Sequence, residues 1–96
     1  MSGDFRTASI VGLGLIGGSL ARDLAAQGVR VRAYDTDERQ LDDAVRAGIV
    51  SGRISPALED IAADLVVIAV PVDVAADVLR RAAPFAGGAK LITDAG

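Results

Sequence analysis

Gly12, Gly14 and Gly17, in the run Gly12-Leu13-Gly14-Leu15-Ile16-Gly17, and the carboxylate of Asp35 are the residues whose types and spacing could do chemistry. The run fits G-x-G-x-x-G, but glycine is common in this chain, so a bare match says little. Its setting says more, because an apolar strand-like run precedes it and a helical period follows. There each glycine has a task. Gly12 permits a tight turn, Gly14 lets a pyrophosphate reach the backbone, and Gly17 allows helix and strand to pack closely. The N–H groups of Leu15, Ile16 and Gly17 would then face the phosphates, aided by about half a positive charge at the helix start. The competing reading is a glycine-rich turn that holds nothing. Asp35 weighs against that reading. It closes the second expected strand, near the ~20-residue offset at which an acid holds the adenosine ribose. A carboxylate there accepts from the ribose hydroxyls and repels a 2′-phosphate. Thr36 and Asp37 follow it rather than an arginine, which favours NAD over NADP, with Arg39 the one residue placed to soften that preference.

These residues need a particular scaffold. Ala8 to Val11 reads as a short strand, and a helix starts near Ile16, with Ile16, Leu20 and Leu24 as its apolar stripe. Gly28 stands where a helix end wants a residue that tolerates positive φ. Val29 to Tyr34 is the second strand. Asp37 is the expected N-cap of the next helix, with Gln40 as its capping-box partner. Arg39 with Asp43, and Asp42 with Arg46, are expected pairs on its wet face. Ile49 to Ile54 reads as a weak edge strand, and Ser55-Pro56 as N-cap and N1 of a short helix through about Ile61. Leu65 to Val70 is apolar on both faces, as a central parallel strand must be, and Pro71 breaks it. Asp73 is the expected cap of a helix that Pro84 stops, and Ala89 to Thr93 is the last strand. Strands alternating with helices imply an α/β, Rossmann-type doubly wound parallel sheet with strand order 3-2-1-4-5. Ligands of such sheets lie at the carboxyl ends of the strands, beside the switch point. That places Ala69, Val70 and Pro71 on the nicotinamide side of the groove, with Thr93 and Asp94 on the same rim.

Composition narrows the alternatives. The 96 residues make one domain, and 51% hydrophobic against 24% charged residues excludes disorder. Ten basic against 13 acidic residues leave a net charge of −3, which speaks against nucleic acid or an anionic membrane as partner. Absence of cysteine removes disulfides, thiolate catalysis and cysteine-based metal sites; absence of histidine removes the commonest general base and metal ligand. No metal is expected. No apolar run approaches the ~20 residues of a membrane span, no export signal is evident, and a cytoplasmic protein is expected.

Val11-Gly12-Leu13-Gly14-Leu15-Ile16-Gly17-Gly18-Ser19-Leu20-Ala21 resembles the opening of the prephenate and arogenate dehydrogenases of tyrosine biosynthesis. Ala69-Val70-Pro71-Val72 and Thr93-Asp94-Ala95-Gly96 are similar to two later landmarks of that family, in the same order. The Leu-Ile-Gly-Gly-Ser form of the loop is more specific than the bare glycine spacing; related β-hydroxyacid dehydrogenases usually carry Met where Ile16 stands. The resemblance implies an NAD-dependent oxidoreductase that takes hydride from prephenate or arogenate with loss of CO2. It also implies a catalytic histidine beyond the Thr-Asp-x-Gly landmark, then an all-helical domain that builds a homodimer and most of the substrate site. This chain holds no histidine and stops at Gly96. The expectation is therefore a cofactor domain over residues 1–96, truncated before the chemical half. It would bind NAD weakly, not turn over, and leave apolar surface exposed. Two alternatives stay open. One is the cofactor domain of another β-hydroxyacid or aminodeoxyprephenate dehydrogenase; the other is a non-catalytic NAD-binding module.

Overall fold

The computed structural model describes residues 5–93. Short runs rich in β-branched residues become strands, and the helical periods between them become helices. In chain order these are β1 (Thr7–Val11), α1 (Leu15–Ala26), β2 (Arg30–Tyr34), α2 (Glu38–Arg46), β3 (Gly52–Arg53), β4 (Leu65–Ile68), α3 (Val72–Ala86) and β5 (Lys90–Thr93). All strand pairs are parallel, in the order β3-β2-β1-β4-β5. This is the expected 3-2-1-4-5 doubly wound sheet, with the topological switch between β1 and β4.

Side-chain alternation splits the core into two layers. Ala8 and Ile10 of β1, with Leu65 and Val67 of β4, pack with Ala21 and Leu24 of α1 and Leu41 of α2. Val11, Val66 and Ile68 point the other way, onto Val78 and Ala82 of α3 and onto Ile54, Leu58 and Ile61. Every residue of β4 is buried, which explains its continuous apolar run. Among the described residues no helix is long and apolar enough to cross a membrane.

Several local expectations are corrected. α1 buries Gly17, Ala21 and Leu24 rather than a stripe led by Ile16, which is 39% exposed. The close approach of helix to sheet selects the small residues, so the large ones mislead about phase. α1 ends as expected, with Gly28 at φ +86° and the Val29 N–H returning to the Leu24 carbonyl. Asp37 caps α2 through the N–H groups of Arg39 and Gln40. The Asp37 N–H does not go to Gln40; it donates to Asp35 Oδ1 at 2.8 Å. The expected helical pairs give way too. Asp42 is ion-paired to Arg53 on β3, and Arg46 contributes only its nearby charge.

Residues 55–61 form turns, not a helix. One turn closes by Leu58 N–H to the Ser55 carbonyl, and Leu58 then adopts φ +63°, which ends any helical path. Asp60 instead folds back to accept from the Ser55 N–H and hydroxyl. This lets Leu58 and Ile61 drop into the core beneath. α3 begins two residues earlier than expected: Pro71 rather than Asp73 is its N-cap, and Asp73 lies in its first turn, where a carboxylate favours the positive helix end. Pro84 does not stop α3, which continues to Ala86 and ends at Gly87 with φ +63°. Pro84 and Arg80 are both exposed, so water can take the hydrogen bond that proline removes.

Candidate functional site

β1 delivers the chain at Val11 to a turn pressed against the end of β4. Gly12 has φ +99°, and its N–H donates to the Tyr34 carbonyl at 2.8 Å. A Cβ on Gly12 would overlap the Ala69 carbonyl oxygen and approach Val70 Cγ1 to 2.9 Å. One on Gly17 would overlap the Gly12 carbonyl oxygen and crowd Ala69 Cβ. These two glycines are therefore demanded by the protein's own packing. Gly14 is different: a Cβ there would meet nothing within 4 Å. The space it leaves faces outward, as a ligand passing over the backbone requires.

The start of α1 is electrostatically open. Its N-cap is Gly14, no side chain caps it, and no acidic residue stands in its first turn. The N–H groups of Leu15, Ile16 and Gly17 precede the first intrahelical donor, Gly18, which reaches the Gly14 carbonyl at 2.8 Å. Leu15 is 93% exposed beside them. Leu13 is buried and anchors the loop: its N–H donates to Asp35 Oδ2 at 2.6 Å. Asp35 thus joins the glycine turn to the cap of α2, one carboxylate oxygen on each backbone N–H. Each oxygen keeps a lone pair for a further donor.

Beyond the ends of β2 and β3 lies a cavity of about 480 Å³, within the size range of small-molecule sites. Asp35, Thr36 and Glu38 line it on one chain segment and Arg53, Ser55 and Asp60 on another. Burial pushes the Asp60 carboxyl up, but the hydrogen bonds from Ser55 and the charge of Arg32 outweigh it and hold the group below the usual aspartate range. The hydrogen bond from Arg53 holds Asp42 low as well, with the Arg53 and Arg46 charges adding to it. Glu38, Arg53 and Asp60 are not marked by the sequence, and Ser55 reads there only as a helix cap. No linear signal marks them, because a two-residue strand and a loop turn bring Arg53 and Asp60 to Asp35.

The other expected residues gather at the switch point. Ala69 hydrogen-bonds to the Val11 carbonyl at 2.8 Å and, with Val70, abuts Gly12 and Gly17. Pro71 caps α3 on the rim, and Thr93 stands opposite Ile68 at the end of β5. Asp94 lies outside the described residues. This half of the groove is open, with Val72 exposed on α3 and Leu91, Ile92 and Thr93 exposed on β5.

A doubly wound parallel sheet whose β1–α1 glycine turn leaves a helix N-terminus bare, with a carboxylate at the end of β2, defines a dinucleotide-binding α/β domain. The chain belongs to the family described as prephenate dehydrogenase, nucleotide-binding domain, whose model matches residues 20–96. Among curated relatives, the prephenate dehydrogenase of Lactococcus lactis subsp. cremoris (strain MG1363) is 32% identical over 89 residues, which cover 91% of this chain and 25% of the relative. Synechocystis arogenate dehydrogenase superposes with a TM-score of 0.81 at 26% identity, over 92% of this chain and 32% of that one. Prephenate dehydrogenase from A. aeolicus, solved with hydroxyphenyl propionate and NAD+, has the same fold, with a TM-score of 0.81 at 24% identity over 92% of this chain and 32% of its own. The chain thus spans a quarter of the curated relative and about a third of these structures.

Proposed function

We propose that this chain binds NAD+ and serves as the cofactor domain of a dehydrogenase that oxidatively decarboxylates prephenate or arogenate. The observation that carries the reading is the pairing of an uncapped α1 N-terminus with Asp35 across the Leu13 N–H. The pyrophosphate lies over Gly12 to Gly17, where the N–H groups of Leu15 and Ile16 are free and Gly14 leaves room. Asp35 takes the ribose hydroxyls on its remaining lone pairs, and the adenine end enters the cavity beside it. Ala69, Val70, Pro71 and Thr93 line the nicotinamide side. When bound, NAD+ would supply the hydride acceptor. This chain's residues hold and orient it, since they include no histidine to take the hydroxyl proton. Most of the substrate site, the proton acceptor and a homodimer contact belong to a helical domain packed on the groove; the exposed Leu15, Val72, Leu91 and Ile92 suit such a neighbour. The compartment is the cytoplasm, in keeping with a chain free of cysteine.

Calorimetric titration of the chain with NAD+ and NADP+, beside Asp35→Ala and Gly14→Val, tests this. NAD+ preferred over NADP+, and weakened by both substitutions, is the expected result. Affinity that survives Gly14→Val unchanged would move the phosphates away from the loop and overturn the assignment.

A further inference from the structure

Asp35, Glu38 and Asp60 bring three carboxylates to the cavity, and Arg53 is its one basic residue among the described residues. Arg39, the residue the sequence offers as a counterweight to Asp35, does not line it. Arg53 pairs with Ala33 in the β2–β3 register, so it stands beside the end of the strand that leads to Asp35. Its side chain is about half exposed (49%), and its Nη2 is ion-paired to Oδ1 of Asp42 on α2. Asp42 itself does not line the cavity.

A 2′-phosphate on the adenosine ribose would arrive at Asp35 with close to two negative charges. Guanidinium is the side chain best shaped to receive it, through paired N–H donors. Here that group is already neutralised and turned toward α2. The geometry points to Asp42 as a specificity-determining positioning residue: by holding Arg53 in an ion pair, it withholds the cation that would accept a 2′-phosphate, and so reserves the site for a dinucleotide with a free 2′-hydroxyl. This rests on the dinucleotide reading given above. It adds to Asp35 a second determinant, one that acts by occupying a cation rather than by repelling the phosphate directly.

The experiment is titration of NAD+ and NADP+ into the chain and into Asp42→Asn, Asp42→Gln and Asp42→Asn/Arg53→Gln. Each is run at low ionic strength and at about 0.15 M salt. Asp42 lies on the outer part of α2, and Gln keeps high helix propensity, so a folded variant is secured by one or the other. The expected result is a NAD+/NADP+ affinity ratio that narrows about tenfold in either single variant, mainly through tighter NADP+. The added Arg53→Gln restores the ratio, and salt shrinks the gain, which mere loosening of α2 would not do. A ratio unmoved by the Asp42 variants, in a chain that binds NAD+, overturns this inference and leaves the cofactor site standing. A narrowed ratio that persists without Arg53 overturns it too. Binding of neither dinucleotide to the unaltered chain overturns the cofactor reading and this inference with it.

Discussion

Helices α1 and α2 pack on the same face of the sheet, yet their N-termini are finished in opposite ways. α2 is closed by its own sequence: Asp37 accepts from two backbone N–H groups, and Glu38 adds a carboxylate in the first turn. α1 has a glycine N-cap, no side-chain cap and no acid in its first turn. A cap such as that of α2 is worth about 1 kcal/mol, and nothing in the β1–α1 turn prevents a Ser or Asp at position 14, where a Cβ has free space. The difference teaches that α2 is completed by its own side chains and fixes where Asp35 points, while α1 is left uncapped, as the proposed phosphate site requires.

The strongest challenge to that contrast is Gly17→Ala. Its Cβ would overlap the Gly12 carbonyl, backbone against backbone, so the turn must shift. A loss of about 3 kcal/mol is expected, read as a fall in melting temperature of roughly 12–24 °C. A change of under a few degrees would show that the turn is looser than described. Gly14→Ala separates space from stability. Folding should change by less than about 1 kcal/mol, whereas NAD+ affinity should drop at least about tenfold in calorimetry. Equal losses in both would erase the distinction between the two helix ends. Asp37→Ala, on the closed helix, should cost about 1 kcal/mol, or about 4–8 °C in a thermal melt. The smallest effect concerns Asp60. Its carboxyl is held below the aspartate range in the folded state, so its contribution is complete above the unfolded value of about 3.9 and fades as pH falls through the folded value. Amide exchange at Ser55, normalised for intrinsic rate, should therefore speed up at acid pH in the native chain but not in Asp60→Asn. Identical acid behaviour in both would remove Asp60 from that role.

What the sequence made legible follows from range. The glycine turn, Asp35, Gly28 and the Asp37 cap are local patterns whose physics acts within a few residues, and all four stand where expected. The parallel sheet follows from alternation and one-handed crossovers, and the glycine turn after β1 with Asp35 after β2 selects the 3-2-1-4-5 order among such sheets. The failures share a different cause. Ile16 was placed inside by periodicity, but the sheet admits only Gly17 and Ala21 so near. Ser55-Pro56 carries a sound helix-start signal, yet Asp60 folds back onto the Ser55 N–H and hydroxyl while Leu58 and Ile61 drop into the core against Val11, Val66 and Ile68. Asp42 was paired with Arg46 along the helix, but β3 brings Arg53 to it. In each case a partner distant in sequence overrode a correct local preference.

The placement of β1 at the centre of the sheet has a consequence for how the chain acquires its structure. Ala8 stands opposite Val31 on one side and Leu65 on the other. Among the described residues every strand pair is parallel and none is joined by a hairpin, so the sheet is built from contacts distant in sequence. During synthesis the first strand made must wait for β4, well over half the chain later, before its second edge is satisfied. Until then Ile10 and Val11 lack the neighbours that β4 supplies, and a long loop must close before that pairing forms. The glycine turn, whose Gly12 and Gly17 lean on Ala69 and Val70 just past β4, has its packing partners only once β4 is in place.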